Sequence, residues 1–393
     1  MKILVVAPTP FFSNRGTHIR ILEEALAMEK RGHDITIATY HIGEDISKEI
    51  DTRIDVRRIL RLLFWYKKLE AGPDWQKIVL DLMLIRKTFF LARTKKPDII
   101  HGHLHEGILI GWLAKKLLFW RKIKLVADVH GSLAGEMSSH GYLRHGFLEA
   151  TFKKLEKIIN SLGDWTITSS WECTEDIKRA RKDGKVETIL DGINLDSFRL
   201  KSTREEIKKE WEIPDKFIVG YTGGLLLNKG IDYLMKAILL VIKERKDIYF
   251  MIGGFPVEEV EKFIKKNNIF EHVRVISPLD YFKLPEFLSI CDVAVDPKGA
   301  DTGQASGKIL NYMAAGLPVV CFDKPNNRKY LGEGGQFCAE MSAEALAQGI
   351  IQLKDHSEEI KKKSEHNRNR ANEYSWDKPA KRVEEIYNLA INN

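Results

Sequence analysis

One short segment combines a loop of small residues with the predicted start of a helix. The loop runs from Asp301 to Gly307, and the helix begins near Ser306 and ends at Gly316. Ser306 is a suitable N-cap, and Gly316 suits the left-handed position that often follows a helix. Because Gly307 leaves the first backbone N–H groups accessible, these donors and the positive end of the helix dipole predict a diphosphate site. Lys308 opposes the dipole, which favours a ligand-binding role over that of a solvated loop lysine.

A second segment places two glycines and a lysine after a predicted strand. The run Val219-Gly-Tyr-Thr-Gly223-Gly224-Leu-Leu-Leu-Asn-Lys229-Gly230 leads from the strand into a predicted helix. Glycines let a ligand approach the backbone closely, and a lysine at this position can neutralise a phosphate. The segment therefore predicts phosphate binding through Gly223, Gly224 and Lys229. The alternative is a surface lysine at the start of a helix.

Two further segments follow predicted strands in the first half of the chain. Arg15 and Gly16 lie between the first strand and the first helix, and His130 precedes Gly131 where a later strand ends. Ligands of parallel sheets bind beyond the carboxyl ends of the strands, so these residues are candidates for a site. The single Gly16 provides no G-x-G-x-x-G dinucleotide fingerprint. For His130 the alternative is a histidine at the edge of the core that bonds to the backbone.

Three alternating histidines raise the question of a metal site. His101, His103 and His105 are two residues apart, and on a strand they would share one face, as metal ligands could. We favour a polar strand exit as the interpretation of this pattern. Because no Asp-x-Asp sequence follows a predicted strand, no metal or other cofactor is expected.

The elements that must position these segments alternate between short β-branched runs and longer helical patterns. Strands are predicted at 3–7, 35–39, 98–101, 124–128 and 165–169, and again at 217–222, 248–252, 274–276, 293–296 and 318–322. Helical patterns between them indicate parallel β-α-β units. A turn-rich and then highly charged stretch separates the two series. The sequence therefore predicts two successive doubly wound α/β domains.

The segment that begins at Asn311 resembles the donor-binding segment of a known family. Its run Tyr-Met-Ala-Ala-Gly-Leu-Pro-Val-Val, after a loop of small residues, is similar to that of the retaining glycosyltransferases of the GT-B fold, glycosyltransferase family 4. In that family a first Glu contacts the donor sugar and a second Glu holds the ribose. Counted back from the run, the second falls on Asn311 and the first on Gly303. Counted forward from Pro297 the first falls on Asp301, which we expect to be the acidic sugar contact.

Other segments extend the resemblance over nearly the whole chain. Lys229 matches the lysine of the family's Gly-Arg-x…Lys-Gly motif, which grips the donor pyrophosphate, and Lys308 matches a lysine of some branches. The arginine of that motif is missing, because Gly223 or Gly224 holds its place. Arg15 is our hypothesis for the replacement cation.

The resemblance implies a fold and an activity. The fold is GT-B, with two Rossmann-like domains that face each other across a cleft: an acceptor-binding domain at 1–200, a donor-binding domain at 201–375, and a closing helix at 376–393 that packs back on the first domain. The activity is transfer of a sugar from a nucleoside-diphosphate donor to a hydroxyl acceptor (a glycan, a glycolipid or a small molecule), with retention and without a metal. The alternatives are a non-catalytic glycosyltransferase-like binding subunit and a GT-B sugar-nucleotide epimerase.

The same resemblance assigns roles to individual residues. The implied catalytic residues are His130, Lys229 and Asp301. The residues implied in donor binding are Arg15, Gly16, Gly223, Gly224, Lys229, Ser306, Gly307, Lys308 and Asn311. Within this set, His130 would lie near the donor sugar, and Gly16 would approach the donor phosphate and the acceptor.

Composition narrows the class of protein. Hydrophobic residues make up 44% of the 393 residues, which excludes a disordered chain. Four cysteines without a C-x-x-C pair predict free thiols in a reducing cytosol. We expect no signal peptide, and no run reaches the ~18 apolar residues of a membrane span. The net charge of +7 permits an acidic partner, but no nucleic-acid signature accompanies it.

A basic and aromatic segment at 57–69 leaves two interpretations open. It contains Arg57, Arg61, Phe64 and Trp65, and it could dock on an anionic membrane or on an acidic acceptor. The alternative is a packed strand and loop with solvated charges. The sequence thus predicts a cytoplasmic protein that could make peripheral contact with the inner face of a membrane.

Overall fold

A computed structural model describes residues 1–67, 74–139, 147–299 and 307–392 of the chain. The chain divides into two compact units. The N-terminal unit comprises Met1–Gly192 and Trp376–Asn393, and the C-terminal unit comprises Ile193–Asp301 and Ser306–Ser375. Two predicted site residues, Asp301 and Ser306, lie outside the described residues, and so do 68 and 69 of the basic aromatic segment.

The N-terminal unit is built on one parallel sheet with strand order β3-β2-β1-β4-β5-β6-β7. Its strands are β1 (Lys2–Ala7), β2 (Asp34–Thr39), β3 (Asp55–Arg58), β4 (Ile99–His103), β5 (Lys124–Val129), β6 (Trp165–Thr168) and β7 (Val186–Thr188). The helices between them are α1 (Gly16–Lys30), α2 (Trp75–Lys95), α3 (Leu104–Leu117), α4 (Leu133–Ser139), α5 (Phe147–Ile159) and α6 (Trp171–Ala180). The chain reverses its direction of travel across the sheet between β1 and β4, which makes this edge the expected ligand-binding position of the unit.

The C-terminal unit repeats this architecture with strand order β10-β9-β8-β11-β12-β13. Its strands are β8 (Phe217–Thr222), β9 (Ile248–Gly253), β10 (Val273–Ile276), β11 (Val293–Asp296), β12 (Val319–Phe322) and β13 (Gly335–Cys338). Its helices are α7 (Arg204–Glu210), α8 (Ile231–Glu244), α9 (Glu258–Asn267), α10 (Leu284–Ser289), α11 (Gly307–Ala314), α12 (Pro325–Leu331), α13 (Ala343–Asp355) and α14 (Ser357–Ala371). The corresponding reversal lies between β8 and β11.

Burial explains why the central strands could be recognised in the sequence. Every residue of β9 is buried, and β11 and β12 are buried throughout, because helices cover both faces of a parallel sheet. The edge strands β7 and β13 were not predicted. They are short and half-buried in part, so neither a continuous apolar run nor a clean alternation marks them. The predicted α/β class with two doubly wound sheets is confirmed.

The last helix, α15 (Asp377–Asn392), belongs to the N-terminal unit. Its buried Tyr387 hydroxyl lies 2.6 Å from Nδ1 of His101 on β4. Near its middle, Glu384 accepts hydrogen bonds from Arg31 and contacts His33. The helix is therefore joined to the sheet of this unit by one buried hydrogen bond and to its periphery by ion pairs.

Candidate functional site

The strand ends of the C-terminal unit bring two distant loops together. β8 and β11 are neighbours in register, with Val219 opposite Val293. β8 ends at Thr222 and is followed by Gly223 and Gly224, while β11 ends at Asp296 and is followed by Pro297 and Lys298. Both loops consequently leave the sheet at the reversal in strand order, where ligands of such sheets bind.

Two predicted lysines lie against the two glycines after β8. A Cβ built on Gly223 would lie 4.0 Å from Nζ of Lys308, and one built on Gly224 would lie 3.6 Å from Cγ of Lys229. Gly223 has a φ of +132°, a conformation that L side chains rarely adopt. The structure therefore gathers Gly223, Gly224, Lys229 and Lys308 at one place, and Lys308 supplies a cation beside the position where the expected arginine is absent.

Lys308 lies on the first turn of α11 and is held by two partners. Its Nζ is 2.8 Å from Oδ1 of the buried Asp296, and 4.5 Å from the ring centroid of Tyr221. Burial lowers the pKa of Lys308, but the carboxylate of Asp296 together with Tyr221 and Tyr312 more than offsets this effect and keeps the pKa above its usual value. Lys308 is therefore a fixed ammonium group, in agreement with its unusual position near a helix N-terminus.

Lys298 is a further cation of this site, and it is not among the residues that the sequence predicts. Burial lowers the pKa of Lys298 to about 8, and the charge of Lys229 lowers it further, while Asp296 opposes the change. Lys308 and Lys324 also act on it in the lowering direction. Lys229, Lys308, Lys324 and Asp296 thus all interact electrostatically with Lys298, and among these described residues the lysines outnumber the one carboxylate. The available signal was the position of Lys298, directly after the predicted strand that ends at Asp296-Pro297.

Helix α11 connects this cluster to the sheet. The hydroxyl of Tyr312 accepts a hydrogen bond of 2.9 Å from the backbone N–H of Thr222, at the end of β8. Gly307 is the first residue of the helix, as predicted within one position. The amide of Asn311 donates to the carbonyl of Gly307 over 3.3 Å, a bond within the helix that leaves its Oδ1 available to a ligand.

A different kind of cluster lies in the N-terminal unit, around Asp128 at the end of β5. One carboxylate oxygen, Oδ2, accepts from Nε of Arg20 at 3.2 Å and lies 3.1 Å from Nδ1 of His103 and 3.3 Å from Nε2 of His130. Arg20 also contacts Asp191 at 2.5 Å. The predicted residue His130 is therefore oriented by a buried carboxylate.

The charged groups of this cluster are paired inside it, with one guanidinium shared between the carboxylates of Asp128 and Asp191. Although burial raises it, Arg20 and the neighbouring histidines hold the pKa of Asp128 well below its usual value. Burial, together with the charge of Asp128, raises the pKa of Glu24 to about 8, so Glu24 is protonated at neutral pH. Its separation of 4.0 Å from Arg20 is then not an ion pair. Burial also lowers the pKa of His103 to about 4, so this ring is neutral.

Arg15 and Gly16 lie at the same edge of the N-terminal sheet. Burial lowers the pKa of His18 to about 3, the charge of Arg15 lowers it further, and Nδ1 of His18 lies 2.7 Å from Oγ of Ser13. A Cβ built on Gly16 would meet no atom within 4 Å, and its φ is not in the left-handed region. The fold of this unit therefore does not require glycine at position 16.

The three alternating histidines do not form one set. His105 lies on α3 and faces Glu156 at 3.8 Å, whereas the rings of His101 and His103 stack 4.3 Å apart. Ligand atoms of Glu24, His101, His103 and Asp128 lie within 4.8 Å of one another. Because the guanidinium of Arg20 already provides the positive charge beside Asp128, we interpret this group as a structural network.

Comparison with known protein families gives two matches that share the chain between them. A family model described as Glycosyltransferase Family 4 matches residues 15–197. A second model, described as Glycosyl transferases group 1, matches residues 203–373. The first match falls almost entirely in the N-terminal unit and the second in the C-terminal unit.

Individual relatives agree with these matches at low sequence identity. A D-inositol 3-phosphate glycosyltransferase of Catenulispora acidiphila is 21% identical over 75% of this chain and 71% of its own length. An uncharacterized glycosyltransferase of Methanocaldococcus jannaschii is 22% identical over 88% of this chain and 83% of its own length.

Among solved structures, a sucrose-phosphate synthase of Thermosynechococcus elongatus superposes with a TM-score of 0.79 at 17% identity, over 99% of this chain and 98% of that one. The HepE protein of Anabaena in complex with UDP-glucose superposes with a TM-score of 0.77 at 16% identity, over 99% and 100% of the two chains.

Proposed function

Because this chain belongs to the family 4, group 1 glycosyltransferases of the GT-B fold, we propose that it moves a sugar from a nucleoside-diphosphate donor to a hydroxyl group of an acceptor. The observation that carries the choice of donor is the lysine cluster after β8 and β11. Lys298 interacts electrostatically with Lys229, Lys308 and Lys324 and with the carboxylate of Asp296, so these described residues carry more positive than negative charge. A diphosphate carries the negative charge that would neutralise this cluster.

The chemistry of this transfer follows from that excess of positive charge. Breakage of the bond between the sugar and the diphosphate leaves the electron pair on the departing diphosphate, so negative charge accumulates there in the transition state. Ammonium groups fixed in advance stabilise that charge more than they stabilise the bound donor. Lys308 is such a group, because Asp296 and the ring of Tyr221 hold it in place.

The nature of the donor is supported by solved relatives of the same fold. Structures of HepE contain UDP, UDP with glucose, or UDP-glucose. A starch synthase catalytic domain of similar fold was solved with ADP and acarbose. We accordingly propose a nucleoside-diphosphate sugar as the donor of this chain. Asn311 would bond the ribose, and Asp301 and Ser306 keep their proposed roles at the sugar and at the start of the helix.

We further propose that the transfer proceeds with retention of configuration and needs no divalent metal. Retention is the expectation from the family. Metal independence is supported by the lysines, which can carry out the charge neutralisation that a metal ion performs in other transferases. Two measurements test these points: the anomeric configuration of the product by NMR, and turnover after treatment with a chelator.

The N-terminal unit would supply the acceptor-binding residues and His130. Asp128 fixes the ring of His130 through Nε2, and we propose that Nδ1 of the same ring contacts a substrate. Gly16 would allow a ligand to approach the backbone at the start of α1, because no described residue of the unit occupies the space of a side chain there. Arg15 would contribute a cation at the same edge.

The decisive experiment measures donor turnover by the purified chain with a panel of nucleotide sugars. Substitutions Lys229→Ala and Lys308→Ala are expected to lower turnover by about 10²–10³. Lys236→Ala, an exposed lysine on α8, is the matched control and should retain wild-type turnover. Wild-type rates in either cluster variant would remove that lysine from the site. Absence of both hydrolysis and transfer in the wild-type chain would favour the non-catalytic subunit instead.

A second experiment tests the N-terminal unit through Gly16→Ala. The substitution places a methyl group in open space at the first position of a helix, where Ala is favoured over Gly. Thermal stability should therefore stay equal or rise slightly, while turnover falls about tenfold if a ligand occupies that space. Unchanged turnover together with unchanged stability would show that no substrate approaches Gly16.

A further inference from the structure

Helix α2 of the N-terminal unit has an apolar outer face as well as an apolar inner face. Its inner residues, among them Leu80, Leu84 and Leu91, are buried in the core beside α3, β1 and β2. On the opposite face, Trp75, Ile78 and Leu82 are 63%, 65% and 62% exposed. The same stripe continues through Arg86 and Phe90. Surface helices of globular proteins usually carry polar residues along such a stripe, so this face is a candidate for an interaction.

The segment before α2 extends this surface. Ile59, Leu63 and Tyr66 are buried in the same core cluster as Leu80 and Leu84 of α2, which anchors the segment in the core on which the helix packs. The residues between these anchors point outward, and the exposed apolar ones are Leu60, Leu62, Phe64 and Trp65. We call these four residues, together with Trp75, Ile78 and Leu82, the apolar surface.

Basic residues border the apolar surface. Residues 57–67 contain three arginines and one lysine and no acidic residue. Helix α2 contains five basic residues, Lys77, Arg86, Lys87, Arg93 and Lys95, and one acidic residue, Asp81. Asp81 accepts a hydrogen bond from Tyr40 at 2.5 Å, and burial raises its pKa to about 6. Arg57 and Lys95 pair with Asp55, and Lys77 lies 3.9 Å from Glu106, so the positive charge beside the apolar surface rests on Arg61, Lys67, Arg86 and Lys87 among the described residues.

Two occupants of this surface are compared, a second copy of the chain and a lipid membrane. The combination of exposed Trp, Leu and Ile side chains with a basic border distinguishes them. In a symmetric dimer the same surface of a second copy would bring these cations against each other. An anionic bilayer instead offers acyl chains to the apolar side chains and phosphate groups to the cations, and tryptophan favours that interface. No helix among the described residues is long and apolar enough to cross a bilayer. We propose that the apolar surface docks this chain peripherally on an anionic phospholipid membrane.

This proposal does not depend on the lysine cluster, which lies in the other unit, and its test needs no donor. Binding of the full chain is measured by co-sedimentation with vesicles of phosphatidylcholine that contain about one third phosphatidylglycerol. The wild-type chain should bind these vesicles, bind pure phosphatidylcholine at least about tenfold more weakly, and dissociate as salt is raised. Trp75→Ser combined with Ile78→Ser and Leu82→Ser should lower binding about tenfold or more.

Controls make the outcome interpretable. Phe270→Ser removes an exposed aromatic side chain of the C-terminal unit and should leave vesicle binding unchanged. All variants change exposed residues, so their melting temperatures should match the wild type. The proposal is wrong if the wild-type chain ignores anionic vesicles, or if Phe270→Ser lowers binding as much as the triple variant. It is also wrong if the triple variant converts a dimer into a monomer in sedimentation without affecting vesicle binding.

Discussion

The strand ends of the two units share one topology but differ in how their charges are balanced. In the N-terminal unit, the guanidinium of Arg20 bonds Asp128 and Asp191, and the nearby Glu24 is protonated. In the C-terminal unit, Lys298 interacts with one carboxylate, Asp296, and with three further lysines. The carboxylates of the first cluster already contact a guanidinium, whereas these described residues of the second carry an excess of positive charge.

This difference indicates what each cluster can do. A buried network whose carboxylates already contact a guanidinium gains little from a further ion, and its effect is to hold its members in place, His130 among them. Repulsion between like charges raises the free energy of the empty site, and binding of an anion relieves this repulsion. The chemistry of the donor is therefore expected in the C-terminal unit, and the orientation of reacting groups in the N-terminal unit.

The largest expected effect comes from a substitution in the buried cluster around Asp128. Asp128→Asn leaves Arg20 buried without its principal counter-charge, so the free energy of unfolding should fall by about 3–5 kcal/mol. Denaturant unfolding of the full chain measures this loss. Asp183→Asn, which removes a half-exposed partner of Arg181, is the control and should cost below about 1 kcal/mol. Similar costs for the two variants would contradict the structural role given to Asp128.

The next effect separates charge from structure in the C-terminal unit. Lys308→Met should lower both turnover, by about 10²–10³, and stability, because Asp296 is 1% exposed and loses a cation that lies 2.8 Å from its Oδ1. The double variant Asp296→Asn with Lys308→Met removes both charges and should regain stability without regaining turnover. Recovery of turnover in the double variant would mean that Lys308 serves the fold alone.

A smaller effect concerns the protonation of Glu24. Between pH 7 and 8 the unfolded Glu24 is ionised, whereas burial and Asp128 raise its pKa to about 8 in the folded chain and keep it protonated. The folded state then binds more protons, so this group makes stability fall as pH rises, by roughly 1 kcal/mol across that interval.

Replacement of this carboxyl group isolates its contribution. Glu24→Gln cannot titrate, so the difference in unfolding free energy between the variant and the wild type should shift in favour of the variant from pH 7 to pH 8. Denaturant titrations at the two pH values give this difference directly. A constant difference would show that Glu24 is ionised in the folded chain.

The smallest expected effect concerns the charge of Lys298 in the lysine cluster. Because its pKa is lowered to about 8, Lys298 loses its charge as pH rises from 7.5 to 9, and binding of UDP should weaken about threefold. Binding near pH 8 should also take up protons, since a diphosphate favours the charged lysine. Calorimetry in two buffers with different ionisation enthalpies detects this uptake. It should disappear in Lys298→Met, and its persistence there would assign the proton to another group.

Local patterns in the sequence predicted more of the C-terminal site than of the N-terminal one. Gly223, Gly224, Lys229 and Lys308 stand out because each follows a strand or begins a helix, and such positions are marked by neighbouring residues. The network around Asp128 has no comparable signal. Its members come from α1, β4, β5 and α15, and a buried charge is recognisable only once its partners are known.

What the sequence determined by itself is the order of strands and helices and the presence of glycine and lysine at the strand ends, because periodicity, capping and turn residues act over a few positions. The tertiary structure decided how charges combine. Lys298 and Asp296 meet Lys229 and Lys308 because β8 and β11 are paired in the sheet, although they are distant in the chain. The outer face of α2 can likewise be recognised as exposed only once its inner face is known to pack in the core. Electrostatic interactions and burial depend on neighbours in space, which a linear pattern does not specify.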